Sequence, residues 1–367
     1  MSKKLSNLMA QIAKKNDKVF GDVENSAKIK KVHIDSPQLS YLFGGGIPIG
    51  RMLRFRGPES SGKSITCNYI AAQLQKKLPE TLGQPDKDVI IYIDFERTFE
   101  ARFASQVGVD TSPEKFIHLL PDDIETASDI VAELIKTDEI AAIILDSDAA
   151  APTKAMFTDP SGKANFGAGA KALAEFLRKI NILCANYNTT LLWISQERVN
   201  MSPMGHLPGV TGGEAPKFYA SVVNRVTKTD VLKSGNDTIG IAIRVRNYKN
   251  KAGVPFRDAN IKLYFDGGFN PDEEYLDFLI AFDIIKQGGA YFTIPGVEKK
   301  IQGRAKVQEW LNENVEEYEK MKAQVDEMLI NENALDADRE MMGEDEVIFE
   351  AKERIEDEIS EDVLEDE

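Results

Sequence analysis

A glycine-rich octapeptide carries the clearest chemistry in this sequence. It reads GPESSGKS, from Gly57 to Ser64, and it fits the pattern G-x-x-x-x-G-K-[ST] at every constrained position. In this pattern the glycines let backbone N–H groups surround phosphates, the lysine reaches the outer phosphates, and the hydroxyl binds Mg²⁺. A strand precedes the motif and a helix follows it, which places the phosphates at a helix N-terminus. The predicted nucleotide-binding residues are Gly57, Pro58, Glu59, Ser60, Ser61, Gly62, Lys63, Ser64 and Ile65.

Acidic and amide side chains end three other apolar runs. Asp146 ends IAAIILD and suits the second protein contact to the Mg²⁺ held by Ser64, although a strand-end aspartate can instead act as a cap. Asp94 and Glu96 lie two apart, so we expect both side chains on one face of a strand. Glu96 is the candidate to deprotonate a water that attacks the γ-phosphate, with a solvated strand end as the alternative. Gln196, at the end of LLWISQ, has the chemistry of a γ-phosphate sensor.

The elements that position these residues follow from hydrophobic patterning. Apolar runs at 52–55, 89–95, 116–120, 140–146 and 191–196 alternate with helical segments, which predicts an α/β fold with a mainly parallel, buried sheet. After residue 220 three strand-like runs follow through short turns, as in an antiparallel extension of that sheet. Residues 271–330 form a smaller α-rich unit. Its predicted apolar helical face consists of Leu311, Tyr318, Met321, Val325 and Leu329.

Charge is distributed unevenly along the 367 residues. The net charge is −15, yet residues 331–367 hold 17 acidic and 3 basic residues, so the first 330 are nearly balanced at 43 acidic against 42 basic. An acidic tail of this composition is predicted to be disordered, and the balanced body does not exclude a nucleic-acid partner. No apolar run reaches the roughly 18 residues of a membrane span, and no secretory signal is evident. With only Cys67 and Cys184, both in apolar sequence, we expect a reduced, cytoplasmic protein.

Several further motifs occur in one characteristic order. GPESSGKS is followed by the 94–96 strand end, LDS at 145–147, Gln196 with Arg198, TGG at 211–213, KFYAS at 217–221 and KNK at 249–251. In this order and spacing the sequence resembles the RecA family of homologous-recombination proteins, from about residue 34 to 330. The implied architecture is a RecA-type P-loop ATPase core. Its predicted segments are an N-terminal oligomerisation helix (1–33), the core (34–270), a small C-terminal duplex-DNA-binding domain (271–330) and a disordered acidic tail (331–367).

The resemblance implies that ATP lies between neighbouring subunits of a helical filament. Lys249 and Lys251 of the KNK motif would then reach the neighbour's γ-phosphate, as an arginine finger does. Without the resemblance, the same lysines would be interpreted as a solvated hairpin. The resemblance also implies an adenine pocket formed by Glu100, Phe103 and Tyr264, with Phe103 in place of the family's usual tyrosine.

Two segments are implied to contact DNA, at about 156–169 and 197–214, both rich in Gly, Pro, Ser and Asn as loops are. Lys171 and Arg178 lie two helical turns apart and can meet successive phosphates. Glycines at 212 and 213 allow backbone N–H groups to approach a phosphate closely. The family resemblance assigns Met201 as a wedge between bases, although an exposed methionine is more often simply adaptable. The predicted DNA-binding residues are Lys171, Arg178, Arg198, Met201, Gly212 and Gly213.

The resemblance also assigns a role to one aromatic residue and to one basic cluster. Phe218 matches a subunit-interface residue, although a core position is the alternative. Four cations in KKIQGRAK, from Lys299 to Lys306, resemble a duplex-capturing surface, although they could equally be a solvated face.

The leading prediction is a DNA-dependent ATPase that forms filaments on single-stranded DNA and exchanges strands with a homologous duplex in recombination and DNA repair. ATP and Mg²⁺ are its expected cofactors, single-stranded DNA its primary partner and double-stranded DNA its secondary one. A hexameric helicase on the same fold and a regulatory ATPase that ignores DNA are the alternatives. A small-molecule kinase is the weakest alternative, because no acceptor-substrate pocket or lid is evident and Glu96 would hold a water where a kinase places its acceptor substrate.

Overall fold

The computed structural model describes Leu5, Leu8 and residues 29–158, 167–202, 205–210 and 215–330, with side chains for Leu5, Leu8, 29–157, 167–197 and 217–330. The strands are β1 (Lys31–Val32), β2 (Ile47–Pro48), β3 (Met52–Gly57), β4 (Val89–Asp94), β5 (Phe116–Leu119), β6 (Ile140–Asp146), β7 (Thr190–Ser202), β8 (Gly205–Val210), β9 (Val222–Ser234), β10 (Asp237–Asn250), β11 (Asp258–Tyr264), β12 (Gly268–Phe269), β13 (Lys286–Gly288), β14 (Tyr291–Thr293) and β15 (Ile301–Gln302). The helices are α1 (Pro37–Leu42), α2 (Lys63–Leu82), α3 (Ala101–Gln106), α4 (Ile124–Ile135), α5 (Lys154–Thr158), α6 (Ala168–Tyr187), α7 (Ala215–Tyr219), α8 (Pro271–Ala281), α9 (Arg304–Glu313) and α10 (Val315–Ile330).

One large sheet organises the chain and confirms the predicted α/β class. Its strand order is β12-β11-β10-β9-β3-β7-β6-β4-β5, and β8 pairs with β7 alone. The pairs among β3, β4, β5, β6 and β7, and the pair β3–β9, are parallel. The pairs β9–β10, β10–β11 and β11–β12 are antiparallel and form the extension that the sequence predicts after residue 220.

Apolar residues cover both faces of the sheet. On β6, Ala142 and Ile144 join the core that contains α2, whereas Ile143 and Leu145 join the core that contains α4 and α6. Because successive side chains of a strand point to opposite faces, a strand buried on both faces reads as one continuous apolar run. The carboxyl ends of β3, β4, β6 and β7 therefore meet at one edge, where open parallel sheets bind ligands.

Two sequence-based predictions need correction. The segment 197–214 was predicted as a loop, but β7 continues to Ser202 and pairs antiparallel with β8, Glu197 opposite Val210. The glycine and proline content hid this hairpin, and Pro208 is tolerated because β8 has a single described neighbour and so lies at an edge. The apolar face predicted for one C-terminal helix spans two, since Leu311 lies on α9 and the other members lie on α10.

The C-terminal unit packs against the core through a buried carboxylate. Helices α8, α9 and α10 and the small sheet β13–β14–β15 enclose a separate apolar cluster. Glu274 on α8 is 5% exposed, and its Oε2 accepts hydrogen bonds from Ser36 Oγ (2.5 Å) and Gln38 N (3.2 Å) at the start of α1. Burial raises the pKa of Glu274 from the ordinary 4.5 to about 8, which the bonds from Ser36 and Gln38 oppose. This carboxyl group is therefore largely protonated in the folded chain at neutral pH.

The contribution of this one carboxyl group to the free energy of unfolding should consequently fall as the pH rises. Between about pH 5 and pH 8 the folded chain holds a proton that the unfolded chain has released, so a higher pH favours unfolding. We expect Glu274→Gln, which cannot ionise, to gain stability relative to the wild type as the pH rises across this window. Urea unfolding at several pH values measures the difference.

The neighbouring Glu273 provides the matched control. Partial burial opposes its ionisation, but hydrogen bonds from Lys262 and Tyr264 hold the pKa of Glu273 below its usual value. Glu273→Gln should therefore differ from the wild type by a constant amount across the same pH range. A pH-independent difference for Glu274→Gln would show that the buried carboxyl group is ionised in the folded chain.

Candidate nucleotide and DNA site

The octapeptide forms a phosphate cradle between β3 and α2. Gly57 has φ +150°, and a Cβ atom there would lie 2.2 Å from the carbonyl oxygen of Val226, so only glycine fits. Lys63 Nζ donates to the carbonyl oxygens of Gly57 (2.8 Å) and Pro58. Burial lowers the pKa of Lys63, while the charges of Asp146, Glu197 and Glu96 act in the opposite direction. The charges of three carboxylates therefore act on the buried cradle lysine.

A hydroxyl and a carboxylate lie together beside the cradle. Ser64 Oγ donates to Asp146 Oδ2 at 2.8 Å, and Tyr92 OH donates to the same oxygen at 2.6 Å. Burial raises the pKa of Asp146, whereas the bonds from Tyr92 and Ser64 lower it. Mg²⁺ prefers oxygen ligands and commonly takes only one or two from the protein, the remainder coming from phosphates and water. The donor set of Ser64 and Asp146 fits that ion.

Glu96 meets two hydrogen-bond donors at the end of the sheet. Its Oε1 accepts from Gln196 Nε2 at 2.7 Å and from Ser147 Oγ. Gln196 ends the part of β7 that pairs with β3, opposite Gly57. The half-buried carboxylate is therefore oriented by one group beside the cradle and by another that directly follows Asp146. Such an arrangement suits a base that must hold a water in one position.

Asp94 has a different environment from Glu96, contrary to the expectation that they share a strand face. Strand β4 ends at Asp94, so the strand alternation does not extend to Glu96. Asp94 is 1% exposed and accepts from the backbone N–H groups of Thr98 (3.3 Å) and Phe99 (3.1 Å), with His118 Nε2 at 3.2 Å. Asp94 fixes the turn after β4, and Glu96 alone of the two reaches Gln196.

Two adjoining cavities extend from the cradle. One, of about 310 Å³, is lined by the cradle together with Glu96, Asp146 and Gln196. The other, of about 300 Å³, shares Ser64, Ile65 and Asp146 with it and includes all three predicted adenine contacts, Glu100, Phe103 and Tyr264. Phe103 is 48% exposed, and Tyr264 OH donates to Glu273 Oε1 at 2.8 Å. Together the cavities form one cleft with a polar phosphate end and a mainly apolar end that includes several aromatic rings.

Sequence reasoning missed several residues of this cleft. Tyr92, Ser147, Phe99 and Phe265 line it or hold its carboxylates. Tyr92 and Phe99 were visible only as apolar residues in and after β4. Ser147 could have been found from its position directly after Asp146.

The KNK lysines lie outside their own cleft. Neither Lys249 nor Lys251 is among the described residues that line the two cavities. Lys249 is the penultimate residue of β10, before Asn250, is half-buried, and donates to the carbonyl oxygen of Lys217, while Lys251 is exposed. Burial, and then the nearby charge of Lys251, lower the pKa of Lys249. The two ammonium groups therefore have no described contact with their own phosphate cradle.

The predicted DNA contacts divide into described and undescribed groups. Lys171 and Arg178 are both exposed on α6. Arg198 and Met201 lie on the β7 side of the hairpin, where the backbone alone is described, and Gly212 and Gly213 lie outside the described residues. In the first segment Met156 and Phe157 are 55% and 67% exposed, residues 159–166 are not described, and 168–169 already belong to α6.

Exposed aromatic and basic groups lie elsewhere on the described surface. Phe218, on α7, is 69% exposed, so the alternative that it belongs to the core is wrong for this chain. Lys299, Lys300, Arg304 and Lys306 are all exposed, and Arg304 pairs with Asp277. The acidic tail, 331–367, lies outside the described residues, as do residues 1–28 of the predicted N-terminal segment apart from Leu5 and Leu8, which are helical. The end of that segment is not helical, because Lys31 and Val32 form β1.

The mainly parallel α/β sheet, the phosphate cradle between β3 and α2, and Asp146 bonded to Ser64 define the P-loop nucleotide-binding class. The RecA N-terminal domain family matches residues 1–270. The chain is 34% identical to Protein RecA of Campylobacter lari over 80% of this chain and 83% of that protein. It is 32% identical to Protein RecA of Thermus aquaticus over 88% of this chain and 93% of that protein. The chain belongs to the RecA family, whose members are DNA recombination and repair proteins that bind ATP and DNA.

Within the described residues, the structure contains no helix that is both long and apolar enough to span a bilayer.

Proposed function

We propose that this chain is an ATP- and DNA-dependent recombinase that polymerises on single-stranded DNA and exchanges strands with a homologous duplex. The observation that supports the proposal is that some of the predicted catalytic groups line the cleft of the chain and others lie outside it. Glu96, Gln196 and Lys63 line one cleft, whereas Lys249 and Lys251 have no described contact with it. In the proposed filament, a second copy supplies the two lysines that complete this site.

The proposed hydrolysis uses the groups of the cleft in separate roles. The cradle amides from Glu59 to Ile65 and Lys63 hold the phosphates, while Glu100, Phe103 and Tyr264 enclose the base. Glu96 accepts the proton of the attacking water, and its bonds with Gln196 and Ser147 fix its orientation. Mg²⁺ held by Ser64 and Asp146 would neutralise phosphate charge. Lys249 and Lys251 of the neighbour add positive charge at the γ-phosphate.

Exposure and charge support two of the proposed DNA contacts, those of Lys171 and Arg178, and the family resemblance adds the others. Lys171 and Arg178 meet backbone phosphates, joined by Arg198, Met201 and the glycines at 212 and 213 of the second segment. Phe218 lies at the joint between copies. We further propose the division into an oligomerisation segment (1–33), core (34–270), duplex-binding unit (271–330) and acidic tail (331–367).

The primary test is phosphate release from ATP with and without single-stranded DNA, combined with electron microscopy of the same samples. We expect DNA-stimulated release and helical filaments. Closed six-membered rings would favour a hexameric helicase, and release that is indifferent to DNA would favour a regulatory ATPase. Either of these results would overturn the proposal.

The acidic tail is expected to weaken duplex binding. Its net charge of −14 competes with DNA phosphates for Lys299, Lys300 and Lys306. Ending the chain at Asn331 should strengthen duplex-DNA binding and lower its Mg²⁺ requirement, as measured by salt titration of fluorescence anisotropy. A full-length variant in which the tail carboxylates are replaced by amides is the control and should behave like the shortened chain. Identical titrations of the full-length and shortened proteins would exclude this role for the tail.

A further inference from the structure

Three charged side chains and one tyrosine form a cluster beside the cleft. None of the roles described above involves this cluster. It consists of Arg56, Glu197, Arg225 and Tyr248, and we name it the relay cluster. The Glu197 side chain is 4% exposed, and its two carboxylate oxygens accept from Arg225 Nε at 3.2 and 3.1 Å. Arg56 Nε lies 3.7 Å from the same carboxylate, and the Arg56 guanidinium lies 4.7 Å from the centre of the Tyr248 ring.

Each of three members is the sequence neighbour of a functional residue. Arg56 directly precedes Gly57 of the cradle, Glu197 directly follows Gln196, and Tyr248 directly precedes Lys249. Backbone geometry ties adjacent residues together, so a displacement of one is felt by the next. The side-chain contacts of the cluster, together with these backbone links, therefore join the phosphate cradle, the γ-phosphate sensor and the lysine strand.

The sheet order explains why these residues meet. Strand β3 lies between β7 and β9, and β10 follows β9, so Arg56, Glu197, Arg225 and Tyr248 come from four successive strands. The parallel register pairs Arg56 with Ser195 on one side and with Arg225 on the other. Glu197 is also close enough to Lys63 for its charge to raise the pKa of that lysine against the effect of burial. One carboxylate thus lies beside two guanidinium groups, and its charge also acts on the cradle lysine.

Stability alone is a weak explanation for this arrangement. Removing charges from water costs several kcal/mol per ion, and apolar replacements of a buried ion pair are often neutral or stabilising. Arg225 shares its Nε–H between the two carboxylate oxygens of Glu197, which centres the guanidinium on that carboxylate. The arrangement is better suited to holding four neighbouring strands in fixed positions relative to one another.

We propose that the relay cluster couples the nucleotide state of a protomer to the lysines that it gives to its neighbour, with Glu197 as the positioning residue. The proposal rests on the proposed function, because it requires a lysine-completed site between copies. When Gln196 engages the γ-phosphate, the adjacent Glu197 shifts with it. Arg225 and Arg56 follow their shared carboxylate, and the stacked Tyr248 transmits the change to Lys249. Successive ATP sites along a filament would thereby be linked.

The test compares full-length variants on single-stranded DNA. Glu197→Gln keeps the shape of the side chain but removes its charge, and Arg225→Lys keeps the charge but removes the Nε–H that both carboxylate oxygens share. Asp88→Asn is the matched control, because it removes an ion pair with Lys115 before the opposite, amino end of the sheet. The measurements are kcat, KM and the Hill coefficient for ATP, together with direct binding of a fluorescent ATP analogue.

We expect the wild type to hydrolyse ATP cooperatively and Glu197→Gln to lose that cooperativity, with kcat lowered about tenfold, within the range of typical coupling effects. Binding of the analogue should change less than about threefold, since Glu197 lies beside the cradle and not in it. Arg225→Lys should lose cooperativity as well, and Asp88→Asn should retain it. If Glu197→Gln does not fold, Arg225→Lys decides the question.

Two outcomes would overturn the inference, and they differ from failure of the proposed function. Cooperative, DNA-stimulated hydrolysis in Glu197→Gln and Arg225→Lys would leave the recombinase proposal intact and remove the relay. Hydrolysis by the wild type that is stimulated by DNA but not cooperative would also leave the recombinase proposal intact and remove the relay. A wild type that DNA does not stimulate would instead overturn the proposed function itself.

Discussion

Replacing Lys249 and Lys251 together by alanine should reduce DNA-stimulated phosphate release by a factor of about 10³ to 10⁵, the range for loss of a cationic finger supplied in trans. The reason is electrostatic, because the γ-phosphate would lose two positive charges in a site with little water to replace them. ATP binding to the free protomer should not change, since the described lining of its own cleft lacks both lysines. Steady-state phosphate release and nucleotide binding separate the two effects.

A mixing experiment decides whether these lysines act between copies. The double lysine variant retains Glu96, whereas a Glu96→Gln variant retains its lysines, so a mixed filament contains some sites with both. For random assembly along a head-to-tail contact, about a quarter of the sites would be complete. Equal mixing of the two inactive proteins should therefore restore a substantial part of the wild-type rate.

The control for charge loss is Lys233→Ala, which removes an exposed lysine from the far end of β9. Its rate of DNA-stimulated phosphate release should remain close to that of the wild type. Full DNA-stimulated turnover in the double lysine variant, or no recovery on mixing, would contradict a site completed by the neighbour.

Local patterns predicted the fold and the cradle. The octapeptide is contiguous, and its strand and helix are fixed by apolar runs that the sheet buries on both faces. Lys63, Ser64 and Asp146 could be assigned because each is tied to the end of a predictable element. The antiparallel extension was equally visible, since its strands follow one another through short turns.

Through-space contacts account for what the sequence did not reveal. Ser147 and Gln196 lie 49 residues apart along the chain, as their numbers show, yet both donate to Glu96. The relay cluster draws on four strands, and no spacing rule connects its members. Asp94 was wrongly paired with Glu96 because the end of β4 is set by the turn that Asp94 itself binds, a tertiary feature. The hairpin of β7 and β8 was missed because its glycines and proline resemble a loop.

Glu96→Gln should lower the rate of ATP hydrolysis on DNA by a factor of about 10² to 10⁴, the usual contribution of a positioned general base. The amide can keep a contact with Ser147 and Gln196 but cannot take a proton from water. Because the phosphate cradle is untouched, ATP binding and filament assembly should persist, and filaments should dissociate more slowly than those of the wild type. Single-turnover phosphate release and electron microscopy after ATP addition measure the two effects.

Asp94→Asn distinguishes loss of the proposed base, Glu96, from loss of the turn that follows β4. Asp94 is buried, its carboxylate accepts two backbone N–H groups after β4, and it does not line the cradle cavity. Its replacement should lower the thermal unfolding midpoint, because one amide oxygen cannot satisfy both backbone donors and His118. Glu96→Gln should leave that midpoint nearly unchanged, since its half-exposed carboxylate supports no backbone turn. Hydrolysis at the wild-type rate in Glu96→Gln would remove Glu96 as the base and leave the attacking water to be oriented by Gln196 alone.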